Sequence, residues 1–243
     1  MRIDKALTIN GAAAELVSHQ IRLQLQIPGR SVITVLTDNV PEIGQPVLLD
    51  ARLSGFDWRP VFFGWIESAQ QLNTGAWQLI TREPAALLNR RITINLRHPL
   101  PVDVLNALAD ATGLVFIMPD SEWAKVQVPR FQHIGGGYGA LDNLLRVWAV
   151  AGGIWQQQPD GRVYVGERSL SSNGKKVIEL PASAFSDLTS LGGMLPLMPR
   201  LRPGVAIKIS DGPAQIVHTI DITGDTMRLQ WRPTINTALK ALP

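Results

Sequence analysis

The chain has 243 residues, 45% of them hydrophobic and 18% charged, which suits one large core or several small ones and excludes a disordered chain. Its 21 glycines and 17 prolines, about 16% of the chain against roughly 12% on average, point to many turns joining short elements. A net charge of +3 with scattered basic residues does not argue for a nucleic-acid surface, no apolar run reaches the roughly 18 residues of a membrane span, and the lack of cysteine removes disulfides, thiolate metal sites and cysteine nucleophiles.

The first third predicts strands. MRIDKALTINGAAAEL carries acids and lacks the apolar core of a secretion signal, so none is expected. In HQIRLQLQIPGR, Ile21, Leu23, Leu25 and Ile27 alternate with Gln20, Arg22, Gln24 and Gln26, the period of a half-buried strand. Pro28-Gly29 reads as a turn before SVITVL. PVLLDARL, RPVFFGWIESAQQL and AWQLITRE follow as further strands, with Gly64 as a bulge or bend and Asn73-Thr74-Gly75 as a turn. Such a run of antiparallel strands suggests a small barrel or sandwich.

From Pro101 the period changes. PVDVLNALADATG predicts a helix, with proline in its first turn, Asp103 near its positive end and Gly113 as its stop. Val102, Leu105, Leu108 and Ala109 are expected to share its apolar face. LVFIM predicts a buried strand and VQVPRFQHI an extended piece. ALDNLLRVWAVAGG predicts a second helix with Leu141, Leu144, Leu145 and Trp148 on one stripe. A hairpin turning at Pro159-Asp160-Gly161 comes next. SLSSNGKK reads as a polar linker. The tail returns to strands in KVIELP, GVAIKI, AQIVHTIDI and TMRLQWRP, and 181–204 has no clear period.

Two stretches correspond loosely. IGQPVLL, VFFGWIESAQ and WQLIT share an order of strand, turn, strand, Thr-Gly turn and strand with RPGVAIKI, AQIVHTIDI and MRLQW. The expected fold class is mainly β with an α+β insert: two small antiparallel β modules flanking a middle α+β domain. The boundaries fall at 1–83, 84–170, and 171–243 for the linker and closing module.

Chemical motifs are sparse. GGGYGA at 135–140 fits G-x-G-x-x-A and opens a helix, but a dinucleotide site also needs a parallel strand after that helix, and an antiparallel hairpin is predicted there. His19, His98, His133 and His218 show no metal-ligand spacing. Ser18 and His19 are neighbours on one strand and point to opposite faces, and no G-x-S-x-G elbow exists. Glu67 and Glu83 fall on neighbouring predicted strands and could form a carboxylate pair of the glycosidase kind; a solvated pair or an arginine partner is the plainer expectation. Asp103 and Asp110 share a helix face, where dipole and solvent duty explain them. No cofactor, no metal and no catalytic residue is expected. The seven tryptophans are spread along the chain. Strand faces carrying glutamine in place of lysine and glutamate suit a subunit whose strands are covered in an assembly. Gln24, Gln26 and Gln70 are the candidate assembly-interface residues.

FFGWIESAQQLNTGAWQLITREPAALLNRR, PVDVLNALADATGL, GALDNLLRVWAVAGGIWQQQPDGRVYVGE and PRLRPGVAIKI with IVHTIDITGDTMRLQW together resemble, in order and spacing, the phage tail baseplate hub family of late-control D and Mu-like tail hub proteins. The resemblance covers roughly 30 to 235. It implies two β-barrel modules per chain and a homotrimeric ring of pseudo-sixfold symmetry that adapts a sixfold tail tube to a threefold spike. Implied partners are further copies of the chain, the tail tube or distal tail protein, the spike or tip protein and other baseplate proteins. DNA or tape-measure protein would pass through the ring without specific binding. The implied location is the virion tail baseplate, assembled in the host cytoplasm without membrane insertion. The chain is shorter than many members and nothing after Trp231 reads as an enzyme domain, so peptidoglycan cleavage is not carried over. The competing readings are a small-barrel module that binds glycan or single-stranded nucleic acid, and a hydrolase at Glu67 and Glu83.

Overall fold

A computed structural model describes residues 2–175 and 177–232. Their contacts divide the chain into two units: Met1–Glu83 together with Asn173–Pro243, and Pro84–Ser172.

The first unit begins with β1 (Ile3–Ile9), β2 (Ala12–Gln24), β3 (Ile27–Leu36), β4 (Pro46–Leu53), β5 (Arg59–Asn73) and β6 (Ala76–Arg82). Alternation explains their burial: Ile21, Leu23, Ile33, Val35, Val47, Leu49 and Leu79 point into one core. β1 pairs antiparallel with both β4 and β2, so the order β1-β4-β5-β6-β3-β2 returns on itself. β1 escaped the sequence reading because Lys5 interrupts the alternation of Ile3, Leu7 and Ile9.

Two glycine readings change. The turn between β2 and β3 is Leu25-Gln26, with Gln26 at φ 59°. Pro28-Gly29 lies inside β3: Arg22 pairs with Arg30 and Gln24 with Ile27, so two residues of β3 oppose Leu23 alone. A bulge tolerates a proline that has no N–H to give. A Cβ on Gly29 would stand 2.7 Å from Leu23 Cδ2 and 2.8 Å from Glu83 Cδ. Gly64 is not the bulge, since it pairs in register with Val47. The register shifts of β5 fall elsewhere, at Leu49/Asp50 opposite it and at Ile66/Ser68 and Gln71/Asn73. A Cβ on Gly64 would meet the Arg82 carbonyl oxygen, so close backbone approach explains that glycine.

The second unit holds β7 (Arg91–Arg97), α1 (Pro101–Thr112), β8 (Phe116–Ile117), β9 (Arg130–Gly136), α2 (Gly137–Val147), β10 (Gly153–Gln157) and β11 (Val163–Glu167). Asp103 caps α1 by accepting the Leu100 N–H at 2.8 Å, and Gly113 ends it at φ 74°. The buried face of α1 is Val104, Leu105, Leu108 and Thr112, while Val102 is exposed; the expected stripe was rotated by part of a turn. α2 buries Leu141, Leu144 and Leu145 as expected, with Trp148 just past its end against Phe131. LVFIM is not a buried strand: only Phe116–Ile117 pairs, parallel to β11, and Val115 is exposed. β7 pairs antiparallel with β9, and β10 with β11. The segment read as a polar linker starts as a 3-10 turn, Arg168–Leu170, and Ser171 is buried.

The chain then returns to the first unit as β12 (Val177–Leu180), β13 (Asp187–Leu188), β14 (Gly192–Pro196), β15 (Ala206–Ile209), β16 (Ala214–Thr223) and β17 (Thr226–Arg232). The meander β15-β16-β17 repeats the order of β4-β5-β6, which accounts for the sequence correspondence. The stretch 181–204 is not wholly irregular. β14 pairs with β17 through two glycines, Gly192 and Gly193, where added Cβ atoms would meet the Leu229 carbonyl oxygen and the Phe185 ring. β16 pairs antiparallel with β2 and joins all these strands into one 12-stranded, mainly antiparallel sheet among the described residues.

Candidate functional site

The three glutamines singled out from sequence do not converge. Gln24 is half-buried on β2 opposite Thr219 of β16. Gln26 lies in the adjoining turn. Gln70 is exposed on β5, and its row runs through Gln78 and Thr34 to Ser18. Six residues of β2 separate Ser18 from Gln24, about 20 Å along a strand. The sequence pattern found an outward face but could not say which strands adjoin.

Register brings together what the sequence scattered. Arg22, Arg30 and Arg82 stand directly opposite one another on β2, β3 and β6. Their inward neighbours, Ile21, Leu23, Ser31 and Thr81, are buried, so the guanidinium groups point outward. Arg22 lies 3.7 Å from Asp221 and Arg82 lies 2.9 Å from Glu67. Among the described residues no carboxylate pairs with Arg30. One step along the strands, Val32 and Ile80 face each other on the same side and remain 38% and 41% exposed. Like charges directly opposite cost stability unless something screens them.

Glu67 and Glu83 do not form a carboxylate pair. Glu67 turns outward to Arg82, whereas Glu83 is buried and accepts the Gly29 N–H at 2.6 Å. Burial pushes the Glu83 carboxyl up to about 7, against the opposing pull of the buried Arg202 guanidinium and the Gly29 N–H. Arg202 donates to the carbonyls of Val61 at 2.8 Å and Pro60 at 3.3 Å. This is a charged brace in the core, and nothing about 202 in the sequence signals it.

His19 is buried on β2, and its Nε2 meets no hydrogen-bond partner among the described residues. Burial first, then the Lys5 ammonium, pulls its imidazole down to about 4. Lys5 donates to Asp225 at 2.5 Å, and an open depression of about 710 Å³ runs beside them where β1 and β2 diverge. His133 Nε2 lies 3.0 Å from the Gly136 carbonyl oxygen, and His98 is exposed at φ 49°. Among the described residues no three side chains of metal-ligating type gather. Of the GGGYGA glycines, Gly137 serves packing, since a Cβ there would meet Leu88 Cδ2 at 2.7 Å, whereas Gly136 faces open space; the strand after α2 pairs antiparallel.

No protein-family profile matches the chain. The chain is 28% identical over 226 residues to an uncharacterized 58.7 kDa protein encoded in the lys 3' region of Haemophilus phage HP1, covering 93% of this chain and 41% of that protein. It therefore spans about two fifths of the length of that relative. Its fold is similar to the 43 kDa tail protein of prophage MuSo2 from Shewanella oneidensis, with a TM-score of 0.70 over 95% of this chain and 98% of that one at 9% identity. It is also similar to the E. coli c3393 protein, a type VI secretion system component described as structurally similar to the T4 bacteriophage tail proteins gp27 and gp5; the TM-score is 0.63 over 94% and 76% of the two chains at 14% identity. The fold is thus one shared with a phage tail protein and a type VI secretion component.

Proposed function

We propose that this chain is a structural protein of a phage tail, acting as the hub at the baseplate end of the tube. The observation that carries the reading is the fold shared with a tail protein over 95% of the chain. A phage-encoded relative adds to it. Within the 12-stranded sheet, six strands return on themselves and six more extend from β2 through β16. This supports two β-barrel modules per chain, at 1–83 and 171–243, with the α+β domain of 84–170 between them in the sequence. Three copies would then offer six similar modules to a sixfold tail tube or distal tail protein, and threefold symmetry to a spike or tip protein. Closed cyclic symmetry leaves no open surface to propagate into fibres. DNA or tape-measure protein would pass through the opening. The chain would work in the virion, after assembly in the host cytoplasm, and carry no catalysis of its own.

Multi-angle light scattering on the purified chain tests this. The expected mass at high concentration is three times 26.6 kDa. A mass that stays at one chain at every concentration, together with affinity for a glycan or a single-stranded oligonucleotide, would contradict it and favour a small-barrel binding module.

A further inference from the structure

The arginine row on β2, β3 and β6 has a counterpart elsewhere in the same unit. The loop between β3 and β4, residues 37–45, exposes Asp38 and Glu42 beside Val40 and Ile43, which are 64% and 71% exposed. Among the described residues neither acid forms an ion pair. The loop is held in shape by bonds within it and to β5: the Asn39 N–H donates to Thr37 Oγ1, the Glu42 N–H to Gln45 Oε1 and the Gly44 N–H to the Ile66 carbonyl of β5. It therefore presents its acids and apolar side chains with little ordering left to lose.

The two surfaces carry opposite charge and the same layout, charges beside an exposed apolar pair. Arginine without lysine, set beside aliphatic side chains, is the composition of a protein interface. A phosphate backbone would gain nothing from Val32 and Ile80. Six residues of β3 separate Arg30 from Leu36, where the loop begins, about 20 Å along the strand. One copy cannot lay its own loop over its own arginine row, but a neighbouring copy can.

We propose that copies of this chain meet head to tail, with the 37–45 loop of one lying across the β2-β3-β6 face of the next. Asp38 and Glu42 supply the carboxylates that Arg30 lacks, and Val40 and Ile43 cover Val32 and Ile80. Two different patches in contact make a heterologous interface, which closes into a ring when the rotation allows. The inference rests on the reading that the chain assembles with itself, and not on a copy number of three.

The test is charge reversal read by sedimentation velocity on the full chain, with circular dichroism to confirm folding. Arg30→Glu alone, and Asp38→Arg with Glu42→Arg, should each weaken self-association about tenfold or more, the effect of like charges brought face to face. The chain carrying all three changes should recover most of the loss. Ile43→Ser, which changes no charge, should also weaken association. If the wild type assembles and the reversals leave its mass unchanged, the copies meet elsewhere; this interface is then wrong while the assembly reading stands. Weakening by the single reversals without recovery in the combined chain also overturns the pairing. So does binding of an oligothymidylate probe that is lost with Arg30→Glu while self-association is unaffected. A wild type that remains one chain at all concentrations sinks both.

Discussion

Leu144→Ala is expected to destabilise the second unit by roughly 2–5 kcal/mol, the range for emptying a fully buried leucine site. Leu144 is wholly buried on α2. It belongs to the cluster of Leu108, Leu141, Phe131 and Trp155, with parts of β7, β9 and β11 in the same core. Leu141 one turn earlier and Trp148 one turn later are buried too, so neighbours cannot slide in to fill the gap cheaply. Urea unfolding followed by tryptophan fluorescence checks this: Trp123, Trp148 and Trp155 report on this unit, and Trp58, Trp65, Trp77 and Trp231 on the other. A loss under about 0.5 kcal/mol would mean that the stripe is loosely packed, which is incompatible with the core described above.

Glu83→Gln is expected to change how stability depends on pH, by about 3 kcal/mol across its range. The folded chain holds a proton on Glu83 up to about pH 7, against an ordinary value of 4.5. Between those values the folded state binds more protons than the unfolded one. This group's contribution is therefore full below about pH 4.5 and is lost as pH rises through 7. His19 works in the opposite sense. Its folded value of about 4 lies below the ordinary 6.5, so stability falls as pH drops through that window. In the wild type the two slopes oppose each other between about 4.5 and 6.5. Glutamine keeps the shape and an oxygen for the Gly29 N–H but cannot ionise, so the variant should lose the Glu83 slope, keep the opposing slope of His19, and gain on the wild type as pH rises to 8. Parallel wild-type and variant curves would show that Glu83 titrates normally.

What the sequence disclosed follows from periodicity. α2 announces itself because Leu141, Leu144, Leu145 and Trp148 repeat at helical spacing around a well-packed core. β2 does so because Ile21, Leu23 and Leu25 alternate without interruption. β1 was hidden by Lys5, whose ammonium turns to Asp225 more than two hundred residues away. Pro28-Gly29 misled because a turn and a bulge use the same residues. The two are separated only by the partner strand, whose Leu23 opposes both. β14 was missed because Gly192 and Gly193 carry no apolar signal and are there to let β17 approach.

The candidate surface was legible only in its chemistry. Low charge and outward glutamines mark β2 as a strand expected to be covered, but Gln24, Gln26 and Gln70 do not meet on one face. The arginine row could not be read, because Arg22, Arg30 and Arg82 share no spacing in sequence and meet only through the register of three strands. Glu83 and Arg202 likewise reach the same core from distant parts of the chain, by a route that no local pattern records.

A reconstruction of an assembled tail tip containing this chain tests the hub reading most directly. The reading predicts three copies in one ring between the tube and the spike, with residues 1–83 and 171–243 of successive copies alternating around the opening. A different copy number, or a ring in which those two segments do not alternate, would contradict it.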